Sequence, residues 1–437
     1  MTKDRKFGFR TRALHAGTPP NPATGSSAVP IDLSTGFVFD SIEHAKELFS
    51  LRTYGNIYSR ISNPTVAAFE EKMASLEGGL GAVATSSGQA AQIVAILSLA
   101  QSGDHLVASS NIYGGTVTQF TVSLRRLGIE TTFVPEGKPE AMAAAIRTNS
   151  KALFVETIGN PSGNIADLEA LAKVAHGAGL PLIVDNTFAT PFLCRPIEHG
   201  ADIIVHSATK YICGHGTTVA GVLVESGTFP WRAGRHPLLN EPSPSYHGVR
   251  FADTFGEYAF LTRARSEVMR DIGACLSPMN AWLLIQGLET LAVRMEAHVK
   301  NAVTIGQFLE GHDAVAWVKY PGLPSSPYRA LAQQYLPQGA GGIVTFGVRG
   351  GRTAGERFIE ALELWSHVAN MGDAKSLVIH PASTTHSQLS DAELTAAGIT
   401  PDMVRLSVGI EDVDDLIWDL EQGLAAANKA AATTRTR

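Results

Sequence analysis

Between Gly81 and about Val224, short apolar runs recur along the chain, each bounded by small or polar residues. AVATS (82–86), HLVAS (105–109), ALFVE (152–156), PLIVDN (181–186), DIIVHS (202–207) and AGVLVE (220–225) are continuous runs, not alternating ones. Continuous runs of this length mark strands buried on both faces. Stretches with helical spacing separate several of them, such as QAAQIVAILSLA (89–100) and LEALAKVAHGAG (168–179). Strands alternating with helices predict an α/β architecture, a mostly parallel sheet with helices on both faces. Just upstream, Asn63 suits a helix N-cap and Pro64 the first helical position. Val66, Phe69, Met73 and Leu76 then recur at helical spacing until Gly78-Gly79 ends the run.

The flanks lack this alternation. The first 30 or so residues, rich in Thr, Pro, Gly and Ser, read as an extended arm, and 1–62 is taken as one unit. Residues 63–276 form the expected large domain, with 225–276 irregular. From Ser277-Pro278 a long helix is expected to about Glu310, opening a smaller α+β domain over 277–437. That domain carries strand-like WVKY, GIVTFGV and SLVIHP, a helix near 353–365 and a closing helix near 411–425. The tail after about Leu424 is expected to fray.

Composition narrows the function classes. Of 437 residues, 44% are hydrophobic and 17% charged, the balance of an ordinary globular protein. A net charge of -6 without a basic run invites neither nucleic acid nor an anionic membrane. The first residues lack the apolar core of a secretory signal, and no apolar stretch is long enough to span a bilayer, so a cytoplasmic location is the default expectation. Three cysteines, Cys194, Cys213 and Cys275, make no disulfide framework. Cys194, His199, His206, Cys213 and His215 lie close in sequence but lack CxxC or HxxxH spacing, so no metal site is expected.

The chemistry collects at strand ends. Asp185 closes the run PLIVD, at the carboxyl edge where open α/β sheets bind ligands. Taken alone, it suits a turn cap as well. Lys210 follows the next strand, with Ser207 and Thr209 beside it and Gly214 and Gly216 after it. Burial there would lower its pKa and leave an amine able to form an imine. The flanking hydroxyls suit phosphate oxygens, and a carboxylate on a neighbouring strand suits a pyridinium nitrogen. In ATSSGQAAQ a strand turns into a helix at Gly88-Gln89, offering free N–H groups to an anion. Neither GxGxxG nor GxxxxGK[ST] is present there, so dinucleotide and NTP binding are not supported. Tyr113, in NIYGGT, is placed to stack on a ring or to pack a turn. Asn160, in ETIGNPSG, is placed to cap its turn or to donate to a ring oxygen.

In order, YSRISNPT, SSGQA, YGG, ETIGNPSG, VDNTFATP, HSATKY, SLVIHPASTTH and RLSVGIE resemble the motifs of the Cys/Met-metabolism enzymes that use pyridoxal 5′-phosphate (PLP). The resemblance spans about Arg10 to about Leu424. It implies the aspartate aminotransferase-like fold, fold type I, with a seven-stranded sheet. It also implies that Lys210 holds the cofactor as a Schiff base and later shuttles protons, that Asp185 pairs with the pyridine nitrogen, that Tyr113 stacks on the ring and shares catalysis, and that Asn160 meets its 3′-oxygen. Ser87, Gly88, Gln89, Ser207 and Thr209 would hold the phosphate, joined by Tyr58 and Arg60 from a neighbouring subunit. Arg405 would clamp the substrate carboxylate, helped by Ser376.

EPSPSYHGVRF, followed by RDIGACLSPMNAWLLIQGLETLAVRMEAH, is similar to the branch of the family that exchanges the acyl group of O-acetylhomoserine for sulfide or methanethiol. Homocysteine or methionine and acetate would be the products, and a homotetramer of two site-sharing dimers the assembly. Alternatives from the same resemblance are O-succinylhomoserine as substrate, cystathionine γ-synthesis and γ-elimination. A non-catalytic PLP-binding scaffold is the alternative of another class. Two departures stand out: Gln89 occupies a place where the family often has Met, and Gly115 one where methionine γ-lyases carry Cys.

Overall fold

A computed structural model describes residues 5–233, 235–384 and 398–434. Seven strands build the first sheet: β1 (Gly81–Thr85), β2 (His105–Ser109), β3 (Glu130–Val134), β4 (Ser150–Glu156), β5 (Leu182–Asp185), β6 (Ile203–His206) and β7 (Gly221–Glu225). Their order is β1-β7-β6-β5-β4-β2-β3. All neighbours run parallel except β7, which is antiparallel to both β1 and β6.

The continuous apolar runs follow from burial on both faces. Leu182 and Val184 of β5 point into one core cluster and Ile183 into the other. Ile204 of β6 joins the first cluster, while Ile203 and Val205 join the second. Each such side chain stabilises the fold by roughly 1.5–3 kcal/mol. The helix Pro64–Glu77 packs into the first cluster through Val66, Phe69, Met73 and Leu76. Asn63 caps it by accepting from the N–H groups of Thr65 and Val66, and Gly78 ends it in the left-handed region, φ 80°. The helix Gly88–Leu97 lies on the other face, with Val94, Ala95 and Ile96 in the second cluster.

A second sheet of five strands follows: β8 (Val315–Lys319), β9 (Ile343–Val348), β10 (Ser366–His367), β11 (Leu377–Ile379) and β12 (Met403–Ser407), in the order β10-β11-β12-β9-β8.

Several elements differ from the sequence expectation. Strand β3, ETTFV, is an edge strand whose burial rises only at Val134, so it has no apolar run to betray it. Strand β12 is interrupted by the polar Arg405 and was legible only as a motif. The extended arm contains a helix at Phe9–His15, and Ile42–Phe49 forms another before the large sheet. The stretch expected to be irregular is helical in pieces, among them Phe251–Phe255, Ala259–Arg263 and a π-helical turn at Ala264–Met269. The long helix is two, Pro278–Glu289 and Leu291–Glu310, parted at Thr290 (φ -106°, ψ 3°). The last helix continues through the expected frayed tail, over Val413–Thr434. Thr385 and His386, which end the SLVIHPASTTH motif, lie outside the described residues.

Candidate active site

Strands β4, β5 and β6 end together, Glu156 opposite Asp185 and Asp185 opposite Val205 in the ladder. Outside that edge opens a cavity of about 400 Å³. Its walls include Ser87, Gly88, Gln89, Tyr113, Asn160, Asp185, Ser207, Thr209, Lys210 and Arg405. They come from separate chain segments that meet at the sheet edge and, through Arg405, at the middle of β12.

Lys210 Nζ donates to Asn370 Oδ1 at 2.6 Å. Burial pulls the amine from its usual 10.5 down to about 8, and the positive charge of Arg405 adds to the effect. The Arg405 guanidinium reaches Asn160 Oδ1 at 3.2 Å and the Asn370 carbonyl at 3.3 Å. Its Nε is buried without a partner among the described residues.

Asp185 receives three donors. Gln92 Nε2 donates to Oδ2 at 3.0 Å, and Oδ1 accepts from the Thr187 N–H at 3.0 Å and from the Thr187 hydroxyl. Burial pushes its carboxyl above the usual range, while the Thr187 bonds, His206 and Gln92 pull it back. His206, one residue before Ser207, is itself held by Glu77 at 2.6 Å, both side chains fully buried.

Opposite this pair lies the start of the Gly88–Leu97 helix. Ser87 caps it, its hydroxyl accepting from the Ala90 N–H at 3.1 Å. A β-carbon on Gly88 would come within 2.7 Å of Ser207 Cβ, so only glycine lets the two segments meet. The Thr209 hydroxyl is turned to Ala220, donating to its carbonyl at 3.1 Å and accepting from its N–H at 3.0 Å. The Tyr113 ring is half exposed and folded over Gly115, where a β-carbon would come within 2.4 Å of Cε1. A cysteine at 115 is therefore incompatible with this placement of the ring.

Three of the named residues lie outside this cavity: Tyr58 and Arg60, expected to act in a neighbouring copy, and Ser376. Tyr58 and Arg60 are exposed, with the guanidinium 5.4 Å from the Tyr58 ring centroid, and they line a separate surface depression with Cys275 and Ser277. Ser376 is fully buried and does not line the cavity; its hydroxyl donates to Glu411 Oε2 at 2.9 Å and accepts from the Gly409 N–H at 2.8 Å. The ladder explains this: Arg405 pairs with Ile379, three residues beyond Ser376 and about 10 Å along the strand.

Four polar side chains of the cavity wall were missed. Gln92 carries a signal, a polar side chain in an apolar helix one turn after Gly88, and Thr187 carries one as a hydroxyl two residues after an Asp. Glu156 closes an apolar run as Asp185 does. Asn370 carries none, because only tertiary folding brings it 2.6 Å from Lys210.

The cavity fits a planar aldehyde bearing a pyridinium and a phosphate. It offers an amine that becomes free as pH rises through about 8, a buried acid held by hydrogen bonds, a helix N-terminus beside Ser207, and a cation with an unsatisfied N–H.

Comparison with known proteins agrees. A family model described as Cys/Met metabolism PLP-dependent enzyme matches residues 10–425. A sulfhydrylase of Fusarium oxysporum f. sp. lycopersici is 52% identical over 422 residues, covering 96% of this chain and 98% of its own. An O-acetyl-L-homoserine sulfhydrylase of Thermus thermophilus is 51% identical, covering 95% of this chain and all of its own. A homocysteine synthase of Schizosaccharomyces pombe is 50% identical, covering 96% and 98%. Among solved structures, a Campylobacter jejuni chain assigned as an O-acetylhomoserine (thiol)-lyase superposes with a TM-score of 0.93 at 41% identity. It covers 96% of this chain and 100% of its own, and it contains a lysine joined to the cofactor as N′-pyridoxyl-lysine-5′-monophosphate.

Proposed function

Because the chain belongs to the family of Cys/Met metabolism PLP-dependent enzymes, we propose that it exchanges the γ-acetoxy group of O-acetyl-L-homoserine for sulfide or methanethiol. The products are L-homocysteine or L-methionine, and acetate. The observation that carries this reading is the cavity itself: Lys210, Asp185 and Arg405 converge there in a chain half identical, end to end, to O-acetyl-L-homoserine sulfhydrylase and homocysteine synthase relatives.

Lys210 would tether the cofactor, with Asp185 at its pyridine nitrogen and Tyr113 against its ring. Ser87, Gly88, Gln89, Ser207 and Thr209 would surround the phosphate. When bound, PLP supplies the electron sink that makes protons near its imine carbon acidic and lets a γ-substituent leave.

The chain's own residues do the rest. Arg405 holds the substrate carboxylate by a charge-assisted pair, its Nε being free to donate. Asn160, already bonded to that guanidinium, fixes its direction. Lys210 Nζ, with a pKa of about 8, takes the α-proton and returns it, a role that needs a base poised near working pH. Asn370 holds this amine when it is not tethered. Gln92 and Thr187 hold Asp185 in place and pull its carboxyl back toward the usual range against burial. The Tyr113 ring lies over Gly115 at the cavity wall, and it has room there only because position 115 carries no side chain.

Tyr58 and Arg60 serve a neighbouring copy's phosphate site in this reading, which requires at least a dimer; the proposed assembly is a homotetramer of two such dimers. Their exposure and their distance from the chain's own cavity support it. Among the described residues no helix is long and apolar enough to cross a membrane.

The test is a panel of O-acetyl-, O-succinyl- and O-phosphohomoserine against sulfide, methanethiol and cysteine. Homocysteine from O-acetylhomoserine and sulfide should exceed every other pairing. Predominant 2-oxobutyrate and ammonia with sulfide present would sink the replacement reading in favour of elimination.

A further inference from the structure

Glu156 closes β4 inside the cavity wall, 6% exposed, and none of the roles above uses it. Its carboxylate faces two different turns. Oε1 accepts from the Tyr113 N–H at 2.7 Å, and Oε2 accepts from the Asn160 N–H at 3.1 Å. The first turn follows β2 and the second follows β4. The Asn160 turn is closed on itself by the Gly163 N–H to the Gly159 carbonyl at 2.8 Å, and Tyr113 opens the short helix at Gly114–Thr118. Glu156 bonds the main chain of both turns at Tyr113 and Asn160, beside a longer side-chain bond from Asn111 to Ser162 at 3.4 Å.

We infer that Glu156 is a positioning residue: one carboxylate, bonded at both oxygens, sets the separation of the Tyr113 and Asn160 turns and so the width of the slot in which a cofactor ring is gripped. The inference rests on the proposed binding of PLP between those turns. An acid suits the task because a carboxylate accepts at both ends, whereas an amide of the same shape presents N–H to one of the two donors. Burying the acid has a cost that an apolar residue would not carry. Glu156 lies beside Asp185 in the ladder, and burial together with that neighbouring charge pushes its carboxyl well above the usual range, against the pull of the two N–H donors. The site thus retains a disfavoured group whose visible return is two backbone anchors.

The experiment uses the holoenzyme of Glu156→Gln and Glu156→Ala. Hydrogen exchange is followed by mass spectrometry over 111–118 and 157–163, and cofactor release is followed by absorbance. Glu156→Gln should raise exchange in one of the two turns at least about tenfold and speed cofactor release about tenfold, while β2 and β5 exchange as in the wild type. Glu156→Ala should loosen both turns, with kcat falling more than KM rises. The inference is overturned if Glu156→Gln keeps both turns protected and the cofactor held as in the wild type, and an unfolded Glu156→Ala beside such a Glu156→Gln overturns it equally. Wild-type protein that carries no cofactor on Lys210 would instead sink the proposed function, and exchange in the two turns would still decide the role of Glu156.

Discussion

Lys210 Nζ and Asn370 Oδ1 meet at 2.6 Å across 160 residues of sequence, one just after β6 of the first sheet and one between β10 and β11 of the second. The same Asn370 accepts an Arg405 N–H on its main-chain oxygen at 3.3 Å. The Lys210 amine and the Arg405 guanidinium are therefore registered to each other through one residue.

That contact has a pH signature. Burial lowers the Lys210 pKa to about 8, so the neutral amine accumulates as pH rises through 8 and not through 10.5. Cofactor attachment by stripped protein should be half-maximal near pH 8. The Asn370 oxygen favours the ammonium form, so Asn370→Ala should move the midpoint lower, by about one unit. A midpoint near 10, or an unmoved one in the variant, would contradict the geometry.

Gln92 donates to one oxygen of the buried Asp185. Gln92→Leu leaves that oxygen without its partner and lets burial raise the Asp185 carboxyl further. Activity should fall about ten- to a hundredfold, with the cofactor's absorption shifting at neutral pH, as expected for a lost bond to a charged group worth roughly 1.5–3 kcal/mol. Spectra of wild type and variant titrated side by side provide the check.

Arg405 meets two oxygens in a fixed plane, which a lysine cannot reproduce. Arg405→Lys should raise KM for the amino acid about a hundredfold or more, with cofactor attachment to Lys210 unchanged. Loss of the cofactor band in this variant would assign Arg405 to cofactor binding instead.

Tyr58 and Arg60 stand apart from the cavity of their own chain. Mixing Arg60→Ala with Lys210→Ala protein should restore a fraction of activity, about a quarter at full exchange for paired sites, since one hybrid site is then intact. No recovery after demonstrated subunit exchange would mean that each cavity is served by its own chain.

Much of the site was legible because its residues stand at the ends of apolar runs. Asp185 and Lys210 follow strands that are buried on both faces, so the run itself announces where the polar edge begins. Asn63 and Gly78 bounded their helix as expected, since capping is decided within a few residues. Ser376 was assigned to the cavity on a motif, and ladder register put it three residues from the strand position facing Arg405. Strand β3 escaped notice because an edge strand has no need of a continuous apolar run.

The sequence by itself determined a mostly parallel sheet, the helix boundaries near Asn63 and Gly78, and a lysine and an acid at one sheet edge. Periodicity and capping act over a few residues, and a linear reading contains them. Only the tertiary structure decided that Asn370 touches Lys210, that Gln92 and Thr187 share Asp185, and that Glu156 bonds two turns at once. Those pairings join groups that the chain separates by up to 160 residues. They exist because close packing of two sheets and their helices leaves each buried polar atom few partners, and which partners remain depends on the whole fold.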